Sequence, residues 1–226
     1  MKKITLVLFA ISLAVIACKK ENSSPTQDPI KYMSFTANST WNYEVINNLN
    51  STTSNYTLTS TSRDSTVNGK AYHVFTNSSG SANEYYYLTG NDYFRFQNLP
   101  APLSGNPIEN IYLKDNAAVN ESWNQIYSVT ASGIPLIITT INTITEKGIS
   151  KTVNSIVYTD VIHITSTLTA SVFGTPLPDS AITTDVQVYY SKKYGMIQSK
   201  NKININYTGI VSNTDELTNL KSADIK

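Results

Sequence analysis

The sequence predicts an all-β fold: a large antiparallel twisted sheet or open barrel built from two similar five-stranded halves. Three observations carry this expectation. Asn, Ser and Thr supply about a third of the 226 residues while charged residues supply 15%, and runs of Thr, Tyr, Val and Ile lie between Asn, Gly and Ser, the composition of strands joined by turns. Period-two alternation recurs, most clearly where Ile197, Ile203, Ile205 and Tyr207 share one face and Gln198, Lys200, Lys202, Asn204 and Asn206 the other. Finally, the order of motifs is repeated. Thr40-Trp41-Asn42 returns as Ser122-Trp123-Asn124, Thr66-Val67-Asn68 as Thr152-Val153-Asn154, and Tyr86-Tyr87 as Tyr189-Tyr190.

The first element is not part of that sheet. Lys2 and Lys3 precede an apolar run from Ile4 to Ile16, too short for a membrane span of roughly 20 residues, so residues 1–17 read as a cleaved signal peptide. It ends on Val15-Ile16-Ala17-Cys18, and Cys18 is the one cysteine in the chain. This run resembles the bacterial lipobox, which implies that the Cys18 thiol carries diacylglycerol and anchors the protein in the membrane. Lipidation leaves the mature domain without a thiol, which excludes disulfides, cysteine-ligated zinc and a cysteine nucleophile. Residues 18–33 form a polar, proline-containing tether. Lys20-Glu21 partly resembles the surface-export signal of Bacteroidetes-type lipoproteins, so the outer membrane, on its surface or periplasmic face, is the expected location.

A single all-β domain is expected over residues 34–226, with the repeat spanning about 35–97 and 109–211. Asn68-Gly69 suits a type I′ hairpin, since both residues tolerate positive φ. Gly90-Asn91 is the next expected turn. The prolines of 98–107 interrupt pairing and divide the halves. A second long strand is expected from Val153 to Leu168, and a last helical turn or two around residues 215–220. The Trp-x-Tyr strand, the Val-Asn-Gly hairpin and the Tyr-Tyr strand followed by Tyr194-Gly195-Met196-Ile197 resemble Bacteroidetes-type outer-membrane lipoproteins. More distantly they resemble the half-open β-barrels of Lol-type lipoprotein carriers. That resemblance implies a concave ligand face, although no helix to plug the barrel is evident.

Charge narrows the partners. The net charge of +1 becomes about −1 once Lys2 and Lys3 leave with the signal peptide, and no basic patch suits nucleic acid. The expected partners are therefore the membrane, through Cys18, and a protein, glycan or apolar ligand that the sequence does not identify. His73 and His163, the two histidines, sit in expected strands without HExxH, GxSxG or paired carboxylates nearby, so no catalytic residue, metal or cofactor is expected. Trp41 and Trp123 fit a shared core better than a sugar platform. Of Tyr85, Tyr86 and Tyr87, at least one must face outward, making the three a candidate contact surface. Asp64-Ser65-Thr66 and Asp179-Ser180-Ala181 resemble short O-glycosylation signals of Bacteroidetes type, with Ser65 and Ser180 in expected turns. The leading expectation is a non-enzymatic envelope protein that binds or scaffolds. Its rivals are a carrier of an apolar ligand or lipoprotein within the concave face, and a glycan-related enzyme whose carboxylates the fold assembles.

Overall fold

The computed structural model describes residues 31–99, 103–131, 133–207 and 210–226. The expected signal peptide, Cys18 and most of the tether lie outside the described residues. One sheet of 14 strands takes in almost all the described chain. The first six are β1 (Thr40–Asn47), β2 (Thr52–Val67), β3 (Lys70–Asn77), β4 (Glu84–Thr89), β5 (Asp92–Gln97) and β6 (Leu103–Ser104). Next come β7 (Ile108–Lys114), β8 (Ser122–Ala131), β9 (Ile134–Val153) and β10 (Ile156–Val172). The last are β11 (Thr175–Pro176), β12 (Ile182–Ser191), β13 (Gly195–Tyr207) and β14 (Ile210–Asp224). The two-residue β6 and β11 merely lengthen the walls. The other twelve run in the order β8-β9-β10-β12-β13-β14-β1-β2-β3-β4-β5-β7, antiparallel throughout, and curl into a nearly closed barrel.

Turn chemistry explains most of the connections. Asn68 and Gly69 have φ of 51° and 78°, and Asn154 and Ser155 have 49° and 66°, so each long hairpin closes on two left-handed residues. Gly90 (φ 58°) turns β4 into β5. The twelve long strands exceed the ten that two five-stranded halves would give: β7 pairs β5 and β14 pairs β13. β7 lies beyond the proline segment and still joins the strands before it.

Two further expectations are corrected. The strand expected from Val153 begins at Ile156, since Val153 ends β9 and Asn154-Ser155 is the turn. Asp160 (φ 51°) and register shifts beside it then break the alternation, so Val161, Ile162, His163 and Ile164 are all buried in succession. Residues 215–220, expected to be helical, lie within β14. There they pair with β13 on one side and β1 on the other, and two ladders outweigh a local preference. Among the described residues no α-helix forms.

The N-terminal segment closes one end of the barrel. Tyr32 and Met33, expected in the tether, are buried at 5% and 9%. The Lys193 N–H donates to the Lys31 carbonyl at 2.7 Å, and the Tyr32 N–H to the Tyr93 hydroxyl at 3.2 Å. Gly195 (φ 72°) allows the approach, since a Cβ there would stand 3.1 Å from the Tyr32 carbonyl oxygen. Beneath this plug Trp41, Phe75, Tyr93, Leu113, Ile162 and Leu220 form the larger core. A smaller core of Val129, Ala131, Leu136, Ile138 and Ile210 lies towards the opposite end, where the chain turns between β8 and β9, β10 and β12, and β13 and β14.

The ring does not close by a ladder. Where β7 meets β8, side chains replace it: the Trp123 indole N–H donates to the Ile111 carbonyl at 2.8 Å, and Gln125 Oε1 accepts from the Ile111 N–H at 3.1 Å. Gln125 Nε2 also donates to the Glu109 carbonyl, at 3.4 Å. Both edge strands are thereby covered without backbone pairing.

Candidate functional site

The barrel encloses a lumen because β-strands alternate their side chains, and here one face of every long strand looks inward. Towards the plug, a cavity of about 410 Å³ is lined by Tyr43, Tyr56, Tyr86, Tyr112, Tyr127 and Tyr190 together with Glu84, Arg95, Met196 and Ile203. Leu168, Asn201 and Ile203 also line a second cavity of about 350 Å³, so the two adjoin. The second is walled mostly by aliphatic side chains, Leu136, Ile138, Ala170, Ile182, Ile205 and Ile210 among them, with Ser212, Thr214 and Glu216 of β14 on one side. Each is of the size of small-molecule pockets, about 300–1,000 Å³. The lumen is therefore polar and aromatic at depth and mostly aliphatic towards the open end.

A local break in pairing produces the opening. β10 and β12 share a ladder only between Val161–Ser166 and Val186–Ser191. Past that point β11 and the short 3-10 turn Asp179–Ala181 fill part of the gap, held by the Leu177 N–H on the Ala170 carbonyl at 2.8 Å. The rim carries Phe173 at 82% exposure on the tip before Gly174, and Val211 at 73%.

At the deep end a charged pair sits among the tyrosines. The Arg95 Nη2 donates to Glu84 Oε2 at 3.1 Å. Glu84 accepts two further hydrogen bonds, from the Tyr86 hydroxyl at 2.6 Å and from Asn77 Nδ2 at 2.8 Å, so its charge is well met. The arginine is not. Its Nε is buried without a partner among the described residues. Although the group lies deep in the molecule, 38% of its side chain remains accessible, and it lines both the lumen and a further cavity beside Ser65, Val67 and Asn83. Interactions with Tyr86 and then Glu84 raise the Arg95 pKa further against the cost of burial. Burial also pushes the hydroxyls of Tyr43, Tyr56, Tyr86, Tyr112 and Tyr190 well above the ordinary tyrosine range, and that of Tyr127 up to about 12. All six are neutral hydrogen-bonding groups at neutral pH.

The residues singled out from the sequence fall in different places. Trp41 and Trp123 are core residues, 1% and 8% exposed, each with its indole N–H on a main-chain carbonyl. Tyr86 points into the lumen, whereas Tyr85 and Tyr87 pack on the outer face against Phe96 and against Tyr72 and Phe94. The expected three-residue contact surface is thus divided between the two faces of β4. Ser180 is exposed in the 3-10 turn. Ser65 is not in a turn, since β2 continues to Val67 and pairs Ser65 with Tyr72.

Both histidines have partners that spacing did not show. His73 Nε2 lies 2.9 Å from Ser60 Oγ, and its Nδ1 2.9 Å from Asp64 Oδ1. This is the order of a Ser-His-Asp triad, but Ser60 is 0% exposed under the plug, so its hydroxyl has no route to a substrate. His163 Nδ1 meets Glu146 Oε2 at 2.9 Å while its ring stacks on Tyr189 at 4.0 Å. Among the described residues no group of three or more His, Cys, Asp or Glu side chains is placed to hold a metal.

The functional residues that sequence reading missed are Arg95 and Glu84. A signal was present. Arg95 is one of two arginines, and it falls inside the aromatic alternation Tyr93-Phe94-Arg95-Phe96, where a charge on either face needs a reason.

No family model matches this sequence, and no curated protein does. The fold does have a solved counterpart. The crystal structure of a candidate lipoprotein from Parabacteroides distasonis ATCC 8503 superposes with a TM-score of 0.52 at 14% identity, covering 88% of this chain and 100% of that one. The likeness is one of fold.

Proposed function

We propose that this chain is a lipid-anchored, non-enzymatic protein of the bacterial outer membrane whose barrel binds an apolar-chain ligand in its lumen. The observation that carries the reading is the pair of adjoining cavities inside the barrel, one mostly aliphatic and the other tyrosine-lined, which meet at Leu168 and Ile203. It favours the carrier reading over a scaffold, which would need no interior space. A lipobox-like Cys18 and a fold shared with a candidate lipoprotein support the envelope location. The buried Ser60 hydroxyl supports a binding role over hydrolysis.

The test uses the full chain carrying Cys18→Ser, so that neither anchor nor detergent competes for the lumen. A fluorescent apolar probe should bind with one saturable site. Ala170→Trp, which places an indole in the aliphatic section, should reduce that binding at least tenfold with the circular dichroism unchanged. Equal binding by the blocked variant would refute a lumen site. In cells, Cys18→Ser should move the protein from the membrane to the soluble fraction, and protease shaving of intact cells then tells surface from periplasmic display.

A further inference from the structure

The aliphatic section accounts for an apolar chain, but not for what stands at its inner end. Five features converge there. Arg95 lies deep in the lumen with one donor on Glu84, a buried Nε without a partner, and accessible surface facing the cavity. The guanidinium has five N–H donors in a planar fork suited to carboxylate or phosphate oxygens. Glu84 is already the acceptor for Asn77, Tyr86 and Arg95. The hydroxyls of Tyr56, Tyr112 and Tyr190 also line this space and make no hydrogen bond among the described residues. Tyr112 and Tyr190 stand side by side, their rings 5.5 Å apart, with Tyr86 5.8 Å from Tyr112.

The inner end therefore offers a cation and hydroxyl donors, with Glu84 as the one carboxylate in its lining. A cationic head group would meet the guanidinium as a like charge, and a neutral one would leave that charge to Glu84 alone; Glu216, the other carboxylate on these walls, lines the second cavity and not the one at Arg95. An anionic oxygen head satisfies the guanidinium and can take the tyrosine hydroxyls as further donors. We infer that the lumen selects a single-chain amphiphile with an anionic oxygen head, a carboxylate or a phosphate monoester. The head would sit at Arg95 among Tyr56, Tyr112 and Tyr190, and the chain would run past Leu168 and Ile203 towards Ile205 and Ile210. Burial keeps these tyrosines protonated, and so able to donate, across the physiological range. The inference rests on the lumen being the binding site.

Displacement of the same fluorescent probe tests it, using dodecanoate, monododecyl phosphate, 1-dodecanol and dodecyltrimethylammonium at neutral pH. These ligands share a chain and differ in the head. At least one anionic ligand should bind about tenfold or more tighter than dodecanol, the lower range of a charge-assisted hydrogen bond, and the ammonium weakest. Which anion leads separates carboxylate from phosphate. The double variant Glu84→Gln/Arg95→Gln, which leaves no unpaired charge behind, should lose the preference, the anionic ligands binding no tighter than dodecanol. Equal binding of all four heads to the unmodified lumen would overturn the head-group inference and leave the lumen reading intact. Failure of every dodecyl ligand to displace the probe would overturn both. The comparison of heads on the unsubstituted lumen decides the matter even where the double variant does not fold.

Discussion

Closure of the barrel at β7 and β8 depends on few groups, and Gln125→Leu removes the most telling of them. Its amide does two things at once: Oε1 takes the Ile111 N–H at 3.1 Å and Nε2 donates, more weakly, to the Glu109 carbonyl at 3.4 Å. Leucine keeps the bulk of the side chain and neither function. One good hydrogen bond contributes about 0.5–1.5 kcal/mol net, and stranding a buried donor costs about 1–3 kcal/mol. Ile111 and Gln125 are only half-buried, so water relieves part of the penalty, and a loss of about 1–2 kcal/mol is expected. At about 2–4 °C per kcal/mol for a domain of this size, Tm should fall by about 2–8 °C. The sharper readout is hydrogen exchange, in which the Ile111 amide should lose most of its protection while amides in the β9 and β10 ladder keep theirs. Trp123→Phe, which removes only the donor to the Ile111 carbonyl, should combine non-additively with it because both act on one residue. If Ile111 exchanged as slowly in Gln125→Leu as in the parent, the seam would not be held by side chains and the closure argument would fail.

Other perturbations probe the plug, the orphaned histidine and the tyrosines. Gly195→Ala puts a Cβ at positive φ and 3.1 Å from the Tyr32 carbonyl oxygen; it should cost about 1–2 kcal/mol and speed proteolysis at residues 31–39, and unchanged cleavage would count against the plug. His163→Phe removes a buried, unpartnered Nε2 and keeps the stack on Tyr189. The lost hydrogen bond to the half-exposed Glu146 costs about 1 kcal/mol, and relief of the desolvated Nε2 offsets it by a similar amount, so chemical denaturation should find stability unchanged to within about 1 kcal/mol. Alkaline pH should unfold the protein. Tyr43, Tyr86 and Tyr190 have raised pKa values in the folded state through burial, so above pH 10 the unfolded chain loses protons that the folded one keeps, and stability falls by about 1.4 kcal/mol per pH unit for each. Ultraviolet titration should show these phenols ionising only together with loss of ellipticity; free titration in a folded protein would contradict their burial.

Much of the architecture was legible because strands and hairpins are local. Asn68-Gly69 can close a hairpin wherever it lies, and the alternation ending at Tyr207 needs no distant contact to be read as a strand. The misreadings arose where local preference met a distant partner. Asp215 to Leu220 carry a weak helical signal, yet β13 and β1 flank them and draw them into a strand. The extra residue at Asp160 shifts the register of β10, and no periodicity announces a bulge. The buried roles of Tyr32 and Met33 depend on Tyr93, Lys193 and Gly195, far along the chain.

By itself the sequence determined the all-β class, the main hairpins and the buried tryptophans, since each depends on residue chemistry or on a period of two. Tertiary structure alone decided that twelve strands curl into a ring and that side chains seal it. It also decided that Arg95 faces the interior space with Tyr56, Tyr112 and Tyr190. Those residues belong to separate strands, and only curvature of the sheet, accumulated strand by strand, turns one shared face into a lumen.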